Sequence, residues 1–310
     1  MTLISWKDIQ AKDYPETPFI LDPYIPKQSI VLLWGDTSIG KSPITWAMAQ
    51  SVAKGVSYFG LPAYPGRVLY IEADTPEVVL APRLKAAPDA PENVWFYLTP
   101  GLSVPNISHD QLSELRDIGR EIKPDVVFLN TLRKLHDMDD RESRTPKVVY
   151  GFFQHLFPKA ALVFVHHIRK TPTDPRIQEN DKEAFSGSKH WLDDAQVGLY
   201  LSRHSSRDGR ENLRLYHIKS QVSETINPLP LRLHPDGTTL TSPLYDQLLY
   251  CYEQLNSDEP EDSKGARDKK MAEAFNISPT TAKRRRLSVE HGLFPGSRAF
   301  LTPTREDEDE

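Results

Sequence analysis

Short apolar runs punctuate the first half of the chain, at 29–34, 68–71, 126–129 and 162–165, and 93–98 is a further strand candidate. Each is too short for a helix with a single buried stripe. Unbroken apolarity over four to six residues fits a strand covered on both faces. Between them lie segments of helical character at 45–53, 109–123 and 148–157. In the second of these, Leu112, Leu115, Ile118 and Ile122 share one side at helical spacing. Strands alternating with helices predict right-handed crossovers and a mostly parallel sheet, an α/β fold. Beyond residue 195 the texture changes. Segments 197–201, 213–219 and 228–233 follow one another without a helical segment between them and predict antiparallel strands finishing the sheet.

A polar, acidic stretch at 256–264 reads as a linker or long loop. A helix is expected over 264–276, with Ala266, Met271, Ala274 and Phe275 on its apolar side. Ile277-Ser278-Pro279 then reads as a turn in which Ser278 caps and Pro279 opens a second helix, ended by Gly292. The expected organisation is a core domain over 1–240, a small helical domain over 241–300 and a solvated acidic tail over 301–310. No window of the 310 residues approaches the length of a membrane span, and the amino terminus lacks the pattern of a signal peptide. Cys251 has no second cysteine to pair with, which fits a reducing compartment. These features predict a cytoplasmic protein without a membrane partner. The net charge of −5 argues against a uniformly basic nucleic-acid coat but conceals an uneven distribution.

The first apolar run leads directly into Gly35-Asp36-Thr37-Ser38-Ile39-Gly40-Lys41-Ser42, followed by Pro43. This spacing wraps backbone N–H groups around phosphate oxygens, and the following helix adds the positive end of its dipole. Gly35 and Gly40 permit backbone angles and close approach that a Cβ would obstruct. Lys41 is the cation for the terminal phosphates, and the Ser42 hydroxyl part of a Mg²⁺ shell. The expected ligands are ATP and Mg²⁺, held over residues 35–43.

With five further blocks in order between the loop and residue 228, the chain resembles the RecA-like hexameric replicative helicases of the plasmid RepA type. The resemblance covers roughly residues 15–235 and implies a RecA-like phosphate-loop core. Residues 68–76 resemble the family's strand ending in an acidic residue that polarises the attacking water. Asp74 occupies that place, and Glu72 lies two residues earlier on the same strand face. Residues 126–136 resemble the second nucleotide motif, whose metal-holding aspartate is here Asn130; the amide keeps an oxygen ligand but loses the charge. His167 matches the position that senses the γ-phosphate. The adjacent pair His166–His167 does not predict a metal site, because strand neighbours point to opposite faces. Residues 184–201 resemble the family's Gly-Ser block, and the polar stretch before it, with Lys170, Arg176 and Lys182, fits a loop that grips single-stranded DNA in a ring's channel. Residues 215–228 resemble the strand pair that presents charged fingers to a neighbour's ATP. Lys219 sits at the finger lysine, while the arginine expected two positions later is Gln221.

From Lys264 to Arg298 there are nine basic residues against three acidic ones, with Lys283, Arg284, Arg285 and Arg286 consecutive. Two short helices, the second basic, resemble a helix-turn-helix or winged-helix unit that would contact duplex DNA or replication proteins. The reading is an ATP-driven motor on single-stranded DNA, a homo-oligomer and by resemblance a hexameric ring, serving plasmid, phage or mobile-element replication. Asn130 and Gln221 keep open a second reading, an ATP-gated DNA-binding protein, helicase loader or recombination mediator with weak turnover.

Overall fold

The structure is a computed structural model that describes residues 3–13, 18–86, 90–99, 101–167, 190–204, 212–255 and 264–290. A short helix, α1 (Trp6–Ala11), precedes a two-stranded ribbon of β1 (Phe19–Leu21) and β2 (Ile25–Pro26). The core then runs β3 (Ile30–Gly35), α2 (Lys41–Lys54), β4 (Val68–Glu72), α3 (Glu77–Lys85), β5 (Val94–Leu98), α4 (His109–Ile122) and β6 (Val126–Asn130). It continues through α5 (Arg144–Leu156), β7 (Ala161–His167), α6 (His190–Asp194), β8 (Val197–Arg203), β9 (Leu213–Ser220), β10 (Leu229–Leu233) and β11 (Leu240–Thr241). Three helices follow: α7 (Pro243–Leu255), α8 (Lys264–Phe275) and α9 (Pro279–Glu290).

The nine core strands form one sheet in the order β11-β10-β9-β8-β3-β7-β6-β4-β5. Every pairing from β5 to β8 is parallel; the antiparallel run expected after residue 195 is found between β8, β9 and β10, although β8 itself lies parallel to β3, and β11 extends it by one more antiparallel strand. Period-2 alternation splits the apolar runs between two cores. Val31, Leu33, Val68, Tyr70, Phe128 and Val163 pack beneath α2. Ile30, Leu32, Leu69, Val127, Leu129 and Phe164 pack with Leu115 of α4 and Phe153 of α5 on the other face. Helix boundaries have local causes. Ser108 caps α4 in a reciprocal box with Gln111, and α2 stops at Gly55, whose φ of 64° is left-handed. The sequence patterns foresee neither α1, nor the β1–β2 ribbon, nor α7, and α3 is a helix despite Pro82 within it.

Helices α7, α8 and α9 share a separate small core of Leu248, Cys251, Met271, Ala272, Ala282 and Val289. Ser278 accepts a hydrogen bond from the Thr281 backbone N–H at 3.1 Å, the expected cap in front of Pro279. The expected acidic tail lies outside the described residues.

His217 of β9 is buried on the α2 face, edge-on to Tyr24 at 5.5 Å, and neither of its ring nitrogens has a hydrogen-bond partner among the described residues. Burial lowers its pKa to about 4. The folded chain therefore holds the ring neutral while the unfolded chain protonates it, so its stabilising effect is complete at neutral pH and is lost as pH falls from about 6.5 toward 4. The expected outcome is a melting midpoint that drops between pH 7 and 5, with a shallower drop in His217→Gln. Scanning calorimetry across that range checks it, and identical slopes would refute it.

Candidate phosphate-loop site

The site is built where the parallel strands end. In register, Gly35 of β3 lies beside His167 of β7 on one side and Leu201 of β8 on the other. A Cβ on Gly35 would stand 2.5 Å from the Leu201 carbonyl oxygen, so the start of the loop needs glycine for packing. Gly40 needs it for conformation, with φ at +112°, and a side chain there would also meet Leu233 at 2.9 Å. Between them Ser38 has a φ of 59°, and Ile39 is buried as the loop's apolar anchor. Pro43 is accommodated in the first turn of α2, where no backbone N–H has an intrahelical acceptor.

Lys41 is 4% exposed, and its Nζ donates to the carbonyl oxygens of Gly35 at 2.7 Å and Asp36 at 2.6 Å. Burial lowers its pKa to about 8, and the Asp36 charge opposes that shift. One turn further on, the Thr45 hydroxyl meets the Tyr70 hydroxyl at 2.8 Å, fastening the start of α2 to β4. Ser42 stands beside Lys41 at the mouth of the loop, half-buried.

The acidic strand end divides into two environments. Glu72 is 1% exposed and accepts the Asn130 amide at 2.7 Å through Oε2. Its Oε1 accepts the backbone N–H groups of Asp74 at 3.1 Å and Thr75 at 2.9 Å. Burial raises the Glu72 pKa, and the Asn130 amide followed by the two backbone donors works against that rise. Asp74 is exposed. Half-buried His167 has its pKa lowered to about 4, first by burial and then by the Lys41 charge, while Asp74 pulls the other way. A neutral imidazole therefore lies within electrostatic reach of both. Lys41, Ser42, Glu72, Asp74, Asn130 and His167 all gather at the carboxyl ends of β3, β4, β6 and β7 or at the start of α2. His166 points to the other face, against Trp191.

Lys219 does not join them. It pairs with Gly198 at the beginning of β8, the far end of the sheet from the loop. Its Nζ donates to the carbonyl oxygens of Leu192 and Asp193 at the end of α6, each at 2.8 Å. Sequence reasoning did not single out Arg203, whose Nη2 reaches the Ser38 carbonyl oxygen at 3.5 Å. The signal was the parallel register of β8 with β3, which no residue spacing displays.

Lys170, Arg176 and Lys182 lie outside the described residues. In the basic run of α9, Lys283 and Arg284 are exposed, and Arg285 donates to Gln247 at 3.2 Å. Arg286 departs from its expected place on a DNA-facing surface. It is 7% exposed and forks onto Asp268 at 2.8 and 3.0 Å, with Glu290 at 2.9 Å. The helical period turns this position into the small core, where a cation needs carboxylate partners.

The profile of the AAA domain family matches residues 3–173. No curated protein matches the sequence. Among solved structures, the ATPase domain of G40P superposes with a TM-score of 0.51 at 13% identity, over 69% of this chain and 84% of that one. That likeness is one of fold, the RecA-like arrangement that the family resemblance implied. No helix among the described residues is long and apolar enough to cross a membrane.

Gly35→Ala forces β3 away from β8 and is expected to cost about 1–3 kcal/mol of stability, the usual penalty of overpacking. It should also weaken nucleotide binding. Denaturant unfolding and calorimetric titration with MgATP check the two effects, and an unchanged protein would contradict the packing argument.

Proposed function

The chain belongs to the AAA domain family, and on that premise we propose that it is an ATP-hydrolysing motor on single-stranded DNA, of the RepA-like replicative helicase type. The observation that carries the reading is the gathering of Lys41, Asp74 and His167 around one loop. Lys41 neutralises the terminal phosphates. Exposed Asp74 orients water toward the γ-phosphorus, which needs a carboxylate in line with the bond that breaks. His167, held neutral, is able to accept or donate one hydrogen bond at the γ-phosphate without adding charge. It ends β7, and Lys170, the first of the basic residues read as contacting DNA, follows three positions later in the sequence.

Mg²⁺, when bound, offsets phosphate charge; the Ser42 hydroxyl, the Asn130 amide oxygen and the Glu72 carboxylate are the hard oxygen donors that suit it. Assembly into a ring is supported by Lys219. It lies at the opposite end of the sheet from its own chain's loop, so a role in catalysis requires a second copy. The gated-binding reading draws on Asn130 and Gln221, which remove one negative and one positive charge from positions where the helicase family carries them.

Single-stranded DNA is expected to stimulate ATP hydrolysis several-fold, and Lys41→Ala to abolish it; a phosphate-release assay checks both. Turnover by Lys41→Ala equal to the wild type would rule out the site. Turnover absent with or without DNA, alongside intact ATP binding, would favour the gated-binding reading. Unwinding of a forked duplex separates a helicase from a mediator. Reversing Lys283 and Arg284 to glutamate is expected to weaken DNA binding and flatten its salt dependence with the fold intact. Arg286→Ala instead should destabilise α7–α9 by roughly 3 kcal/mol, because it strands the buried Asp268 carboxylate. Fluorescence anisotropy and thermal melts distinguish these outcomes.

A further inference from the structure

Phosphate-loop enzymes hold their Mg²⁺ between the loop Ser or Thr and a carboxylate at the end of a nearby strand. The strand that ends there in this protein is β6, and it ends in Asn130. Its neighbour β4 places Glu72 in register with Asn130. Both side chains belong to the face that looks at α2. Glu72 is two residues beyond Tyr70, Asn130 is two beyond Phe128, and those two rings stack at 5.7 Å in the core beneath α2. The Tyr70 hydroxyl already touches Thr45, three residues after Ser42 on the same helix. The next positions up that face therefore look toward the loop.

Glu72 is poised rather than spent. Its three hydrogen bonds, from Asn130, Asp74 and Thr75, leave a carboxylate with about four acceptor positions one short of saturation. The Asn130 amide fixes the carboxylate through its N–H group and keeps its own oxygen for other use.

We propose that Glu72 supplies from β4 the metal-facing charge that Asn130 lacks on β6, the two side chains together replacing one aspartate. This rests on the ATPase reading above and assigns the two acidic residues separate tasks, Glu72 to the metal and Asp74 to the water. It also changes what Asn130→Asp does. With Glu72 already facing the metal, a carboxylate at residue 130 duplicates beside it a charge that the site holds.

The test uses the full-length chain, a non-hydrolysable ATP analogue, and Mn²⁺ followed by electron paramagnetic resonance. Glu72→Gln is expected to weaken Mn²⁺ binding in the nucleotide complex about tenfold or more, the usual effect of losing a group that tunes a metal. Nucleotide affinity without metal should stay the same. Asn130→Asp alone should not tighten Mn²⁺ binding, whereas Glu72→Gln combined with Asn130→Asp should restore it, and Asp74→Asn should leave it alone. Wild-type Mn²⁺ affinity in Glu72→Gln overturns the proposal. So does a double variant that melts like the wild type yet fails to recover metal binding. If the wild-type chain binds no nucleotide, the ATPase reading falls and this one with it; intact nucleotide binding with Mn²⁺ indifferent to residue 72 sinks this one alone.

Discussion

The close approach of Gly35 to the Leu201 carbonyl is the constraint on which the site depends. It presses the end of β3 between β7 and β8 with no side chain in the gap, and so fixes where the loop leaves the sheet. Because β3 is central, the loop emerges among the carboxyl ends of parallel strands, where open α/β sheets bind their ligands. Helix α2 then carries the chain across the sheet face to β4. The Thr45–Tyr70 contact closes that path and brings the acidic strand end toward Ser42. Packing thus sets the geometry of the chemistry, and each charged group takes its character from depth. Lys41 and Glu72 are buried and perturbed, while Asp74 is exposed.

Much of this was legible in the residues. The apolar runs name β3, β4, β6 and β7 because these strands are covered on both faces, whereas the edge strand β5 is only partly buried, and the glycine-rich loop names the phosphate site because few other functions need that spacing. Ser278 and Pro279 announce the start of α9 through local chemistry alone. What was not legible is whatever depends on register or on rotation about a helix. Glu72 and Asn130 are 58 residues apart, and only the pairing of β4 with β6 makes them partners. Arg203 reaches the loop for the same reason. Helix α3 survives Pro82 because tertiary packing outweighs propensity, with Leu80 buried beneath it.

The two lysines of the nucleotide reading illustrate a division of labour across the sheet. Lys41 serves the loop of its own chain, and Lys219 stands at the other end, held by carbonyl groups at the end of α6. A cation is favoured at a helix carboxyl end. That arrangement keeps Lys219 oriented at the end of the sheet away from the loop.

The inward turn of Arg286 has a consequence for grip. Composition suggests four adjacent positive charges on α9, but one is committed to Asp268 and Glu290 and another reaches Gln247. Only Lys283 and Arg284 of the run stand clear of the helical unit. Because each neutralised phosphate releases counterions, a surface with few such contacts holds a polyanion briefly and lets go readily.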